Sequence, residues 1–196
     1  VGVLVFVFAV ASAFDESFGG SSATVDDSAA EAGAESVAMD SADEAVDDSA
    51  AVGEPGESRE NPVPLGTTVS GDEWDVTVVG FDAEADDEVL AANSFNEPAA
   101  DGYTYAVAEV EVLYVGESSD TPWVSVDVEY VSDSGNVIAS YDNDAVAPEP
   151  SFNDIGEMYA GATDTGYVVL EVPEADTGVL RVTPGMFSDS IFVSTE

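Results

Sequence analysis

The run Tyr103-Thr104-Tyr105-Ala106-Val107-Ala108-Glu109-Val110-Glu111-Val112-Leu113 sets apolar Ala106, Ala108, Val110 and Val112 in alternation with Val107, Glu109 and Glu111. A side-chain period of two belongs to an extended strand with one face buried and the other wet, whereas a helix would repeat its apolar positions at three and four. The same period recurs along the chain. Trp74, Val76 and Val78 alternate with Asp75 and Thr77, and Val124, Val126, Val128 and Tyr130 alternate with Ser125, Asp127 and Glu129. Val168, Leu170 and Val172 alternate with Val169 and Glu171, Leu180 and Val182 bracket Arg181, and Ile191 and Val193 close the series.

One apolar and one acidic face per strand is the pattern of antiparallel sheets packed on one side and solvated on the other. Two such faces must meet to exclude water. With about seven or eight short strands and no helical pattern beyond a turn near Glu84 to Asn93, the expected fold is all-β, an immunoglobulin-like antiparallel β-sandwich. A jelly roll or small barrel is the alternative. Turn chemistry agrees, since Asp133-Ser134-Gly135-Asn136 between two strand patterns reads as a hairpin. The folded domain is expected over residues 61–196, beginning with Asn61-Pro62-Val63-Pro64-Leu65-Gly66, whose two prolines favour an extended lead-in.

Several of these stretches together resemble one family. The lead-in at Asn61 to Gly66, the long strand Tyr103 to Leu113, the Asp133-Ser134-Gly135 turn and Tyr159-Ala160-Gly161-Ala162-Thr163 followed by Gly166-Tyr167-Val168-Val169-Leu170-Glu171-Val172-Pro173 are similar to the secreted domain of unknown function 4352. The likeness covers about Asn61 to Glu196. It implies an exported, envelope-associated immunoglobulin-like sandwich and carries over no catalytic residue. Its most specific part, around Gly161 to Pro173, reads as a turn that delivers a central strand, which Pro173 ends because proline cannot continue a ladder. Two departures stand out: this chain has no Cys, whereas many members are lipoproteins, and it carries Tyr114-Val115-Gly116 where members often have Asn-x-Gly. Some members bear a telomeric repeat-binding factor 2 label, which the charge of this chain argues against.

That charge is −40 over 196 residues, from 42 Asp and Glu against 2 Lys and Arg, with no His and no Cys. Without imidazole or thiol there is no Ser-His-Asp or Cys-His pair and no zinc site of the usual ligands. Nucleic acid is excluded as a partner, because phosphate affinity is built from cations and only Arg59 and Arg181 are present. Anionic membrane surfaces are excluded by the same argument.

The N-terminal part differs in kind. Val1 to Phe14 reads VGVLVFVFAVASAF, 14 positions without a charge, short of the roughly 20 apolar residues that span a bilayer. With Ala11-Ser12-Ala13 as a small-x-small cleavage pattern, residues 1–13 are expected to be the apolar region of a secretory signal; a truncated longer anchor is the alternative. Either places the protein outside the cell or on its surface. Residues 14–60 turn to Ser, Ala, Gly, Asp and Glu, with 14 acidic residues between Asp15 and Glu60. Few large apolar side chains occur there, so burial cannot offset chain entropy, and a disordered acidic linker is expected.

Candidate sites follow from the same residues. Asp82, Glu84, Asp86, Asp87 and Glu88 form the densest acidic group of the domain and offer hard oxygen ligands of the kind Ca²⁺ takes. Their spacing matches no EF-hand loop, so a solvated acidic surface is the plainer expectation; Asp142-Asn143-Asp144 also lacks that loop's Gly and distal Glu. No other cofactor is expected. Trp74, Trp123, Tyr103, Tyr105 and Tyr130 could make a stacking platform for carbohydrate or protein, but strand aromatics more often pack in the core or across strands.

Two functional classes result. The first is a non-catalytic envelope module for adhesion, ligand capture or assembly, adapted to high salt, with an envelope protein or polysaccharide as partner. The second is an extracellular carboxylate-dependent hydrolase of glycosidase type, which needs two carboxylates about 5 to 10 Å apart in a cleft. Among 42 acidic residues some pair meets that spacing by chance, so the non-catalytic class is preferred.

Overall fold

The computed structural model describes residues 53–196. The signal or anchor expected at 1–13 and the linker residues up to 52 lie outside the described residues. The period-two runs become strands: β1 (Thr68–Ser70), β2 (Trp74–Asp82), β3 (Tyr103–Tyr114), β4 (Ser119–Asp120), β5 (Val126–Val131), β6 (Val137–Ile138), β7 (Met158–Tyr159), β8 (Thr163–Pro173), β9 (Val179–Pro184) and β10 (Ile191–Val193). Two four-stranded antiparallel sheets form, ordered β1-β2-β3-β8 and β10-β9-β5-β6, and β4 pairs β7 separately. The chain passes between sheets after β3, β6 and β8, and the β5–β6 and β9–β10 hairpins stay within one sheet. This is the connectivity of an immunoglobulin-like β-sandwich.

The core lies where the alternation placed it. Val76, Val78, Ala108, Val110, Val112 and Leu170 of one sheet meet Val128, Tyr130, Leu180 and Val182 of the other, all buried. Each large aliphatic removed from water contributes roughly 1.5–3 kcal/mol. Trp74 is fully buried against Tyr114, with ring centroids 4.7 Å apart, and its Nε1–H donates to Asp120 Oδ2 at 3.1 Å. The β5–β6 turn is closed by Gly135 N–H to Ser132 O at 2.8 Å and Ser132 N–H to Asn136 O at 2.9 Å, with Gly135 at φ +85°. That is a type I turn followed by a left-handed residue, for which glycine is suited because it lacks a Cβ.

Several expectations need correction. Val124 is not in a strand: Pro122–Ser125 form a short helix, α2 when numbered after α1 (Asp86–Ala92), and Val124 is exposed. The turn expected near Glu84 to Asn93 is helix α1. The outer face of β3 and β8 is not wholly wet, because Tyr105, Val107 and Val169 are buried with Ala85 and Val89 beneath α1. Val107 and Val169 sit in the polar phase of their strands, and their apolar side chains are what α1 covers. β8 is an edge strand of its sheet, not a central one. The folded part also begins before residue 61: Gly56 N–H donates to Asn61 O, and Phe192 N–H donates to Gly56 O at 2.8 Å.

Candidate functional site

The free edge of β5 follows from hairpin geometry. Ser132 and Asn136 are hydrogen-bonded across the turn, and Tyr130 and Val131 pair with Ile138 and Val137. In an antiparallel ladder the backbone N–H and C=O of alternate residues point to the same side. Tyr130, Val128 and Val126 therefore turn their backbone toward the β6 side, but β6 ends at Ile138. Val126 N–H is taken by Pro122 O at the end of α2. Val128 N–H and C=O and Val126 C=O face outward with no ladder partner.

A cleft of about 730 Å³ lies along this edge. Its walls come from α2 and β5, from the long connection between β6 and β8, and from the β8 residues Tyr167, Val168 and Val169. That connection is held in place by side chains acting as backbone substitutes. Asn96 accepts from Val146 N–H at 2.9 Å and donates to Val146 O at 2.9 Å, and its Nδ2 also donates to Val89 O at 2.7 Å. Asn143 accepts from Ala145 N–H at 3.0 Å and donates to Ser140 O. Asp142 Oδ2 accepts from Ala139 N–H at 2.8 Å. Tyr167 N–H donates to Pro150 O at 2.7 Å, which closes the cleft floor onto β8.

Four aromatics line the cleft: Trp123, 54% exposed, Tyr141, 79% exposed, half-buried Tyr167 and buried Phe152. Four carboxylates line it too. Glu129 is occupied by Arg181, whose Nε and Nη2 both donate to Glu129 Oε2, at 2.8 and 2.6 Å. Asp127, Asp144 and Asp154 are exposed, and among the described residues none accepts a side-chain hydrogen bond. The other cation of the chain, Arg59, pairs with Glu60 and borders a separate small hollow with Ser132 and Gly178. The cleft is therefore aromatic and anionic, with no unpaired cation of its own.

The candidate Ca²⁺ ligands are placed differently. Asp86 is committed to β3, its Oδ1 accepting from Tyr105 N–H at 2.9 Å and its Oδ2 from Thr104 Oγ1 at 2.8 Å. Asp82 Oδ1 accepts from Glu84 N–H at 2.9 Å, which closes the turn before α1. Asp87 and Glu88 are exposed on the first turn of α1, where negative charge suits the helix dipole. Among the described residues no three acidic side chains converge to hold a metal ion. The density of this group in sequence reflects one helix start and one turn.

The aromatics expected as a platform divide. Trp74, Tyr105 and Tyr130 are buried; Trp123 and Tyr103 are exposed, and of these only Trp123 borders the cleft. Tyr130 Oη donates to Asp176 Oδ1 at 2.7 Å and accepts from Gly178 N–H at 2.7 Å. Burial, with Asp176 beside it, raises its hydroxyl well above the usual tyrosine range. Tyr141 and Tyr167 were legible in sequence only as loop and strand aromatics.

Comparison with known proteins gives fold likenesses only. No family model and no curated protein matches the chain. Among solved structures, an uncharacterized β-sandwich protein from Clostridium difficile 630 is 11% identical with TM-score 0.45, covering 73% of this chain and all of that one. The yjhA protein from Bacillus subtilis is 13% identical with TM-score 0.48, covering 68% of this chain and 99% of that one. A candidate lipoprotein, ycdA, from Bacillus subtilis subsp. subtilis strain 168 is 14% identical with TM-score 0.44, covering 66% of this chain and 38% of that one.

Proposed function

We propose that this protein is an exported, cell-surface module that captures a ligand without transforming it; the resemblance to the secreted domain of unknown function 4352 supports the export and envelope part of this reading and carries over no activity. The observation that carries this reading is the cleft at the open β5 edge, where Trp123 and Tyr141 stand exposed beside Asp127, Asp144 and Asp154. Its volume lies within the roughly 300–1,000 Å³ of ligand sites. Exposed aromatic rings in a concave wall supply contact area for a partner. All three free carboxylates are in water, without the burial by which a hydrolase separates an acid from a base.

The apolar run before Phe14 supports export, and the charge of −40 supports a salty habitat. At 0.1 M salt the Debye length is about 10 Å and carboxylates repel; at 1 M it is about 3 Å and they scarcely sense one another. The expected outcome is a melting temperature that rises steadily from dilute buffer into molar KCl, because self-repulsion opposes compactness. A flat melting temperature would remove the habitat reading.

The capture reading is tested in intact cells. Protease added to intact cells should degrade the protein while cytoplasmic proteins survive, and wild-type protein immobilised in high salt should retain envelope material that the double variant Trp123→Ser, Tyr141→Ser does not. Equal retention by both would overturn the cleft as the site.

A further inference from the structure

Building on that reading, we infer that the cleft takes a basic polypeptide segment in extended conformation, added as a strand beside β5. The first argument is the backbone. Val128 presents one N–H and one C=O to the cleft, and Val126 a further C=O, along an edge that β6 leaves after Ile138. Residues 126–129 span about 13 Å at roughly 3.3 Å per residue, so four or five ligand residues cover them. A donor and acceptor alternating at the two-residue spacing is what an extended peptide complements, and the main-chain bonds it would form are those of strand addition. A sugar chain offers hydroxyls at no such fixed period.

The second argument is charge. Asp127, Asp144 and Asp154 border the edge without a cation, since Arg181 is held by Glu129 and Arg59 lies at a different hollow. A ligand entering there must bring its own positive charge. Lys and Arg do so on alternate side chains, and exposed Trp123 and Tyr141 supply ring faces on which such cations are attracted. The opposite edge of the same sheet shows the same kind of backbone bonding within this chain: Val63 makes a one-residue parallel bridge to Val193, with Val63 N–H to Phe192 O at 2.9 Å and Ser194 N–H to Val63 O at 2.8 Å.

The test uses the full chain at the lowest salt that keeps it folded. The probes are a fluorescent acetylated peptide of alternating Lys and Val, six residues long, its Glu-Val counterpart, and a hexamer of N-acetylglucosamine. Affinity is read by anisotropy, and the exchange rate of the Val128 amide by NMR. The expected result is binding of the Lys-Val peptide alone, with at least tenfold slower exchange of Val128 N–H in the complex. The triple variant Asp127→Asn, Asp144→Asn, Asp154→Asn should weaken it at least tenfold. The charge-matched triple variant Asp82→Asn, Glu84→Gln, Glu88→Gln, away from the cleft, should leave affinity within about twofold. Equal loss in both triple variants, or binding with Val128 exchange unchanged, would mean general attraction to a polyanion and overturn strand addition. Binding of the sugar hexamer in place of the peptide would overturn this inference and leave ligand capture standing. Binding of no probe, with envelope material still retained by the wild type alone, would do the same.

Discussion

The two edges of the β10-β9-β5-β6 sheet are treated in opposite ways. At the β10 edge the chain covers its own strand: Gly56 and Val63, brought together by the turn between them, meet Phe192 and Ser194 through Gly56 O, Val63 N–H and Val63 O. At the β5 edge β6 covers only Tyr130 and Val131, and the connection that follows bends away to pack on the outer face of β8. An exposed strand edge invites pairing with other chains, so natural proteins cover or charge it. Here one edge is covered by backbone. The other is left open, shallowly roofed and flanked by Asp127, Asp144 and Asp154.

The two tryptophans mark the two sides of this contrast and give its largest test. Trp74 is fully buried and hydrogen-bonded to Asp120, so Trp74→Ala is expected to cost about 3–5 kcal/mol in denaturant unfolding, as cavity formation does. A cost near zero would mean that this end of the sandwich is not packed as described. The covered edge is tested by Gly56→Ala. Gly56 sits at φ +90° and an added Cβ would stand 2.6 Å from Ile191 Cγ2. A loss of about 1–2 kcal/mol is expected, with faster amide exchange in Ile191–Val193. Unchanged exchange there would show that the lead-in does not protect β10.

Asp120 adds a pH signature to the same end. Burial pushes its carboxyl up, but hydrogen bonds from Ser125 Oγ, Thr121 N–H and Trp74 Nε1 outweigh burial and leave it below the ordinary carboxylate value. A lowered folded-state value stabilises above the unfolded-state value of about 4, and that stability is lost as pH falls through the folded-state value. The stability gap between wild type and Asp120→Asn is therefore expected to be widest near neutrality and to close in acid. A gap that widens in acid would contradict these bonds. The smallest effect belongs to the open edge: Trp123→Ala should shift stability by less than about 0.5 kcal/mol, since the ring is half in water. A large loss would make Trp123 a core residue and remove it from the cleft wall.

Much of the fold was legible because burial alternates with the strand period. Val76, Ala108, Val110, Leu170, Leu180 and Val182 are all core residues, as their period requires. The Asp133-Ser134-Gly135-Asn136 hairpin was equally plain, because a left-handed position selects glycine. Val124 misled because it continues the phase of Val126 and Val128, yet Pro122 at the first helical position starts a helical turn before the strand. Helix α1 was legible only as a turn near Glu84 to Asn93: seven residues with three leading acids do not make a stable helix until Val89 finds Tyr105, Val107 and Val169. The acidic group at Asp82 to Glu88 was visible in sequence, but that these neighbours are spent on separate turn and helix contacts is decided by the fold.

Charge, the absence of His and Cys, and the strand period are local properties, and each is complete in the order of residues. They were enough for an antiparallel sandwich and, with no His or Cys in the chain, for removing thiol or imidazole chemistry from consideration. The cleft is different in kind. It gathers residues between Trp123 and Val169 and exists because β6 stops at Ile138 while β5 continues to Val126. Whether a backbone N–H such as that of Val128 is paired depends on where another strand ends, and only the packed chain settles that.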